Sequence, residues 1–191
     1  LIGEQGLYKT TWFNFLLPPE LRCYFYTKTN SDRLNKDDLF SLTEFALICF
    51  EELDGMRPAE LNQLKAMVTM PYVNERAAYG RNKERHPHIA SFCGTGNNVQ
   101  FLTDPTGNRR WLPFEVSQIR DPHLHAIPYE LVYSQAYALW KSGFCHWFSQ
   151  EEIRKLNMHN SRFEVPNLEE DLIRTHFRKP FEGEAGIFVT A

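Results

Sequence analysis

Leu1-Ile-Gly-Glu-Gln-Gly6-Leu-Tyr8-Lys9-Thr10-Thr11 is the stretch on which the fold turns. Leu1 and Ile2 read as the end of a strand, Gly3 to Tyr8 as a turn, and Lys9 to about Leu17 as a helix halted by Pro18-Pro19. Gly3, Lys9 and Thr10 have the spacing G-x-x-x-x-G-K-[ST] of a phosphate-binding loop, with Gly6 inside it and Tyr8 where the second glycine belongs. Such a loop works because successive backbone N–H groups curl around phosphates at a helix start, while the lysine neutralises the outer phosphates and the hydroxyl holds Mg²⁺. Gly3, Gly6, Lys9, Thr10 and Thr11 are therefore the candidate ATP-binding residues, and Thr10 a candidate Mg²⁺ ligand. At position 8 a tyrosine brings a Cβ and a ring into space the pattern leaves free. The competing reading is an ordinary glycine turn that caps a helix.

Working outward, apolar strands alternate with amphipathic helices, which predicts an α/β fold with a parallel sheet flanked by helices. Asp37 to Thr43 reads as a short helix feeding the strand Phe45-Ala-Leu-Ile-Cys-Phe50, whose apolarity on both faces marks a buried parallel sheet. Pro58 opens a helix carrying Leu61, Leu64, Met67 and Val68 at helical spacing. Tyr72 to His88 reads as a hairpin around Tyr79-Gly80, and Ile89–Gly94 and Trp111–Val116 as further strands. Helices follow near Tyr129–Lys141 and Glu151–Asn160, the latter behind the capping box Ser149-Gln-Glu-Glu152, and a last one runs through Leu172, Ile173 and Phe177. The expected division is a core over 1–143, truncated at its start, and a small helical appendix over 144–191 leading into a missing module.

The strand ending at Phe50 runs directly into Glu51-Glu52, two carboxylates at the strand edge where ligands of open α/β sheets collect. In a Walker B element the first acid holds the Mg²⁺ shell and the second positions and deprotonates the attacking water, which assigns Glu51 to the metal and Glu52 to the base. The plain alternative is a solvated acidic strand end. After Ile89–Gly94 comes Asn97, placed to orient the water or touch the γ-phosphate, or else merely a turn former. Asp104-Pro-Thr-Gly-Asn-Arg109-Arg110 is a tight turn presenting paired guanidinium groups, which stabilise a transferring phosphoryl group or simply pair with surface carboxylates.

With 42% hydrophobic and 24% charged residues in 191, the chain has the composition of one folded domain. Its longest apolar run is strand-sized, which argues against a membrane-spanning helix. The 21 basic against 24 acidic residues leave a net charge of -3, so contact with nucleic acid requires a local basic patch. Cys23, Cys49, Cys93 and Cys145 are scattered without a Cys-x-x-Cys, and two of them lie inside apolar runs, which suits buried thiols in a reducing cytoplasm better than disulfides or zinc. His123, His125, His146 and His159 show no metal-ligand pairing.

Taken in order, Gly3-Glu-Gln-Gly6 with Lys9-Thr-Thr11, Leu17-Pro-Pro-Glu-Leu-Arg22, Glu51-Glu-Leu-Asp54, Tyr79-Gly-Arg-Asn-Lys83, Gly94-Thr-x-Asn97 and Phe101–Arg110 resemble the virulence-associated protein E family, primase-linked ATPases of phage-like elements. The resemblance implies an AAA+ or superfamily-3-helicase type of P-loop ATPase that moves single-stranded DNA. Its cofactors are ATP and Mg²⁺, its assembly a homo-oligomeric ring, a hexamer above all, and its neighbour a primase domain in the same or a partner chain. By the same resemblance Lys9 and Thr10 are phosphate and Mg²⁺ ligands, Glu51 and Glu52 the Walker B pair, Asn97 the sensor, and Arg109 or Arg110 a finger acting on the next subunit. It also gives the basic segment a role: Arg76, Tyr79, Arg81, Lys83 and Arg85 are the candidate DNA contacts, cations tracking phosphates and aromatic faces stacking on bases. Members usually carry glycine at position 8 and aspartate at position 51. These departures define the alternative, a nucleotide-dead scaffold or DNA-binding module that keeps the fold. A small-molecule kinase is a third reading, which leaves the basic hairpin and paired arginines unexplained.

Overall fold

The computed structural model describes residues 1–29, 35–76, 81–103, 108–166 and 168–177. Helix α1 (Lys9–Phe15) and a 3₁₀ segment Pro19–Tyr24 lead to strand β1 (Phe25–Lys28). Helix α2 (Lys36–Glu44) feeds β2 (Leu47–Phe50), and α3 (Pro58–Val68) follows a 3₁₀ turn at Leu53–Gly55. A hairpin, β3 (Tyr72–Glu75) and β4 (Glu84–Pro87), precedes β5 (Ser91–Gly94). A 3₁₀ turn at Asn108–Arg110, then α4 (Tyr129–Lys141), α5 (Gln150–Asn160), a 3₁₀ turn at Ser161–Phe163 and α6 (Leu168–His176) complete the order.

β1, β2 and β5 form a parallel sheet in that spatial order, with Phe25 opposite Leu47 and Leu47 opposite Ser91. Single parallel bridges extend it, Ile2 pairing with Gly96 on one side and Glu115 on the other. Across the sheet the chain therefore lies in the order β1, β2, β5, Ile2, Glu115. The connection leaving Ile2 runs toward β1 and the one leaving β5 runs toward Glu115. Opposite departures of this kind open a crevice at the carboxyl ends of the strands.

Local chemistry accounts for most boundaries. Asn35 caps α2 by accepting from the N–H groups of Asp37 and Asp38, Pro58 occupies the first turn of α3, and the Ser149–Glu152 capping box starts α5 as expected. The strand expected from Phe45 begins at Leu47, because the Phe45 N–H donates to Ser41 O and still belongs to the end of α2. The strand expected over Trp111–Val116 contracts to the bridge at Glu115: Trp111 N–H closes a turn on Asn108 O and Pro113 has no N–H for a ladder. β1 is an element for which the sequence reading had no place. A buried ion pair of 2.7 Å, Lys28 to Asp38, ties its end to α2.

The core joins Ile2, Leu42, Ile48, Phe50, Leu64 and Val73 to Phe101, Leu102 and Phe163. The last of these bears on the expected boundary between 143 and 144. Phe163 is fully buried, its carbonyl accepts from the N–H groups of Phe101 and Leu102 at 3.0 Å, and Val165 N–H returns to Leu102 O. The chain thus returns beyond position 143 to the core that the residues before it form. By contrast α4 buries no residue; it is held at its start by the Tyr129 and Tyr133 hydroxyls donating to Phe15 O and Leu16 O, with Leu131 and Trp140 more than 70% exposed. Among the described residues no helix is long and apolar enough to cross a membrane.

Emptying a fully buried phenylalanine costs about 3–5 kcal/mol, a large part of a domain's stability. Phe163→Ala should therefore lower the unfolding free energy obtained from urea titration by that amount, while Trp140→Ser on exposed α4 should stay within about 0.5 kcal/mol. Equal effects would place Phe163 outside the cooperative unit.

Candidate functional site

Because Ile2 is paired on both sides, the loop Gly3–Tyr8 leaves the middle of the sheet, at the edge where β2 and β5 also end. Gly3 packs against Val116 O so closely that an added Cβ would lie 2.3 Å from it. Gly6 has φ of 86°. Tyr8, just before α1, also adopts the left-handed region, with φ of 58° and ψ of 22°. The residue is 43% exposed. The position thus keeps the backbone conformation that glycine supplies freely, but at a cost, since a side chain there is strained by about 1–2 kcal/mol.

Lys9 is buried, and its Nζ donates to Gly3 O at 2.6 Å, Glu4 O at 2.7 Å and Asn97 Oδ1 at 3.1 Å. Burial pushes its pKa down, and the nearby Asp54 carboxylate opposes that shift. Thr10 Oγ1 donates to Glu51 Oε1 at 2.7 Å. Two expected site residues from two other segments are thereby in direct contact with the loop lysine and its neighbour, since Lys9 meets Asn97 and Thr10 meets Glu51. Gly3 contributes a carbonyl to the same cluster, and Thr11 lies half-buried one residue on in α1. Glu52, with φ of 54°, is the second non-glycine residue in the left-handed region, and its side chain is exposed at the same edge. Both strained residues of the described chain thus sit on the loops that face this crevice.

Asp54 is the residue that the motif reading undervalued. Its Oδ1 accepts from Asn97 N–H at 3.2 Å and its Oδ2 from Asn98 N–H at 3.0 Å, which fixes the loop after β5 to the loop after β2. The sequence signal was present in Glu51-Glu-Leu-Asp54, but without the fold nothing joined it to Asn97.

Thr10 and Glu51 are hard oxygen donors at hydrogen-bond distance, a pair that fits Mg²⁺, which keeps several waters and takes its remaining ligands from phosphates. Among the described residues no group of three or more His, Cys, Asp or Glu side chains is placed to hold a metal ion. Arg109 and Arg110 are exposed on their turn and make no ion pair or hydrogen bond with Lys9, Thr10 or Glu51.

On the hairpin, Arg76, Arg81, Lys83 and Arg85 are all exposed, and the Arg85 guanidinium lies 3.7 Å over the Tyr72 ring. Arg76 O accepts from Lys36 Nζ. Tyr79 and its turn lie outside the described residues, as do residues 104–107 ahead of the arginines. All four cysteines are free thiols, but only Cys49 is buried and Cys93 half-buried, while Cys23 and Cys145 are exposed where burial was expected; the Cys49 hydrogen bond, with burial, pushes the Cys93 thiol upward.

A parallel α/β sheet with a lysine, a threonine, acidic residues and an amide gathered at its carboxyl edge has the open-sheet architecture in which ligands generally collect at that edge. More specifically, residues 1–165 match the virulence-associated protein E-like domain, and the chain belongs to that family. No curated protein matches it. Among solved structures, "The apo structure of NrS-1 C terminal region (305-718)" is similar at 13% identity with a TM-score of 0.47. The match covers 84% of this chain and 34% of that one, so the chain spans about a third of that structure's length.

The strain at Tyr8 gives a direct expectation. Tyr8→Gly removes about 1–2 kcal/mol of left-handed strain and adds about 0.4–1 kcal/mol of unfolded-state entropy, so thermal unfolding should show equal or slightly higher stability. Tyr8→Val, β-branched at the same φ, should lose at least about 1 kcal/mol. A glycine variant much less stable than the parent would mean that the ring packs usefully.

Proposed function

We propose that the chain is the ATPase core of a replication-linked DNA helicase or translocase of P-loop, AAA+-like type, acting in a ring of like subunits on single-stranded DNA. The observation that supports it best is the meeting of Lys9, Thr10, Glu51 and Asn97 at one strand edge, from segments far apart in sequence. Position and type match what phosphoryl transfer needs: a cation for the outer phosphates, two oxygen ligands for Mg²⁺, and an amide beside the water path.

On this reading Lys9 leaves the carbonyls of Gly3 and Glu4 and turns its charge to the β- and γ-phosphates. Thr10 and Glu51 hold Mg²⁺, which when bound neutralises charge on the phosphate oxygens. Glu52 accepts a proton from the attacking water as its oxygen bonds to the γ-phosphorus, and the β–γ bridging oxygen departs with the bonding pair. Asn97 orients that water, its backbone held by Asp54. Arg109 and Arg110, exposed and turned to no local carboxylate among the described residues, reach the γ-phosphate bound by a neighbouring copy. The hairpin carries the DNA contact, with Arg85 and Tyr72 presenting a stacked cation and ring beside Arg81 and Lys83.

A second reading, a nucleotide-dead scaffold, has its own support in the tyrosine at position 8 and in a lysine already satisfied by three protein acceptors. Calorimetric titration with Mg-ATP separates the two. The enzyme reading expects binding that Lys9→Ala abolishes, and Glu52→Gln should retain binding while losing about 10²–10⁴-fold in hydrolysis. Absence of binding by both parent and Tyr8→Gly would leave the scaffold.

For DNA, Arg81→Ala and Lys83→Ala should each weaken single-strand binding across sequences and reduce the salt slope by about one phosphate contact. An unchanged slope would remove the hairpin from the DNA path.

A further inference from the structure

The most deeply buried polar side chain among the described residues is Asn160, at the end of α5, with none of its surface exposed. Its Nδ2 donates to Asn108 O at 2.7 Å and to Trp111 O at 3.0 Å. Those two carbonyls bracket Arg109 and Arg110. Asn108, itself 2% exposed, donates through its own Nδ2 to Glu164 Oε1 at 2.7 Å, four residues beyond Asn160. His159 reaches Pro113 O at 3.1 Å, and Arg162 pairs with Glu115 at 3.1 Å, so the same short segment grips the chain beyond the turn as well.

We propose that Asn160, with Asn108 and Glu164, is a positioning clamp that holds the Asn108–Arg110 turn rigid, so that Arg109 and Arg110 are presented as a fixed cationic pair to the phosphoryl group of a neighbouring subunit's nucleotide. The phosphoryl target rests on the arginine reading above; the clamp rests on the geometry just given.

The arrangement is costly unless it serves the turn. Asn108 Oδ1 and Asn160 Oδ1 are buried without a partner among the described residues, and each such group costs about 1–3 kcal/mol. A leucine at position 160 would remove the unpartnered Asn160 Oδ1 but would leave the carbonyls of Asn108 and Trp111 without that donor. What an apolar side chain cannot do is hold both carbonyls on either side of the arginines. Both guanidinium-bearing residues remain exposed and unpaired among the described residues. Fixing their backbone beforehand removes part of the ordering entropy that a loose loop would lose on meeting a phosphate.

Two variants test the clamp in the full chain. Asn160→Ala removes both carbonyl contacts, and Glu164→Ala, which frees only the Asn108 side chain, is the milder change if the first does not fold. Backbone ¹⁵N relaxation should show the amides of Arg109 and Arg110 dropping from rigid order parameters of about 0.85 to below about 0.6, with those of β5 unaltered. ATP hydrolysis should fall about tenfold or more in kcat with KM within about twofold, and Asn160→Ala should add nothing in an Arg109→Ala, Arg110→Ala background. Persistent order at the two arginines overturns the clamp, and so does a further loss in the arginine-free background, which marks a general structural defect. Lost order at the turn, with the arginine-free protein hydrolysing ATP like the parent, keeps the clamp and overturns the finger.

Discussion

Ile2 is hydrogen-bonded on both flanks: its N–H donates to Phe114 O at 2.8 Å, its carbonyl accepts from Val116 N–H at 2.7 Å, and its neighbours Leu1 and Gly3 exchange bonds with Gly96. With 2% of its surface exposed, it is also a member of the core. This two-sided pairing puts the loop Gly3–Tyr8 between the end of β5 and the Glu115 segment. Remove it and Lys9 has no reason to lie against Asn97, nor Thr10 against Glu51. The pairing is long-range on both flanks, so the site is assembled by the tertiary fold while its parts are short local motifs.

The strand-end cluster is coupled through polar contacts more than through packing. Asp54 fastens the loop carrying Asn97, Asn97 accepts from Lys9, and Thr10 is fastened to Glu51. Each of these bonds has a lysine or a carboxylate as one partner, which makes it stronger than a bond between two neutral groups. The two left-handed residues, Tyr8 and Glu52, lie on the same loops, so strain and polar bonding are concentrated in one small region. At the far side of the sheet the same economy holds for the arginine turn, where one buried amide substitutes for the hydrogen bonds of a strand that Pro113 prevents from forming.

Helix starts and the strand-end acids were legible because they obey local rules. Pro58, the Ser149–Glu152 box, the glycine turn before Lys9 and the apolar run into Glu51-Glu52 act through neighbours a few residues away, and the fold kept them where the pattern put them. The same holds for the family, whose motifs are local and ordered along the chain. β1 was not legible: Phe25-Tyr-Thr-Lys28 is four residues long, and its strand identity comes from pairing with Leu47–Phe50 and from a buried ion pair that Lys28 makes with α2.

Sequence by itself determined the α/β class, the phosphate-loop spacing with its tyrosine, and the residue types gathered at the strand edge, because each depends on periodicity or spacing within one segment. Tertiary structure alone decided the neighbours: Ile2 between Gly96 and Glu115, Asp54 beneath Asn97, and Asn160 beneath the arginines. It also decided that the chain beyond position 143 returns to the core through Phe163. The physical reason is common to all of these. Burial and hydrogen bonding between residues tens of positions apart are satisfied only once the whole chain has chosen its order across the sheet, and no local propensity encodes that order.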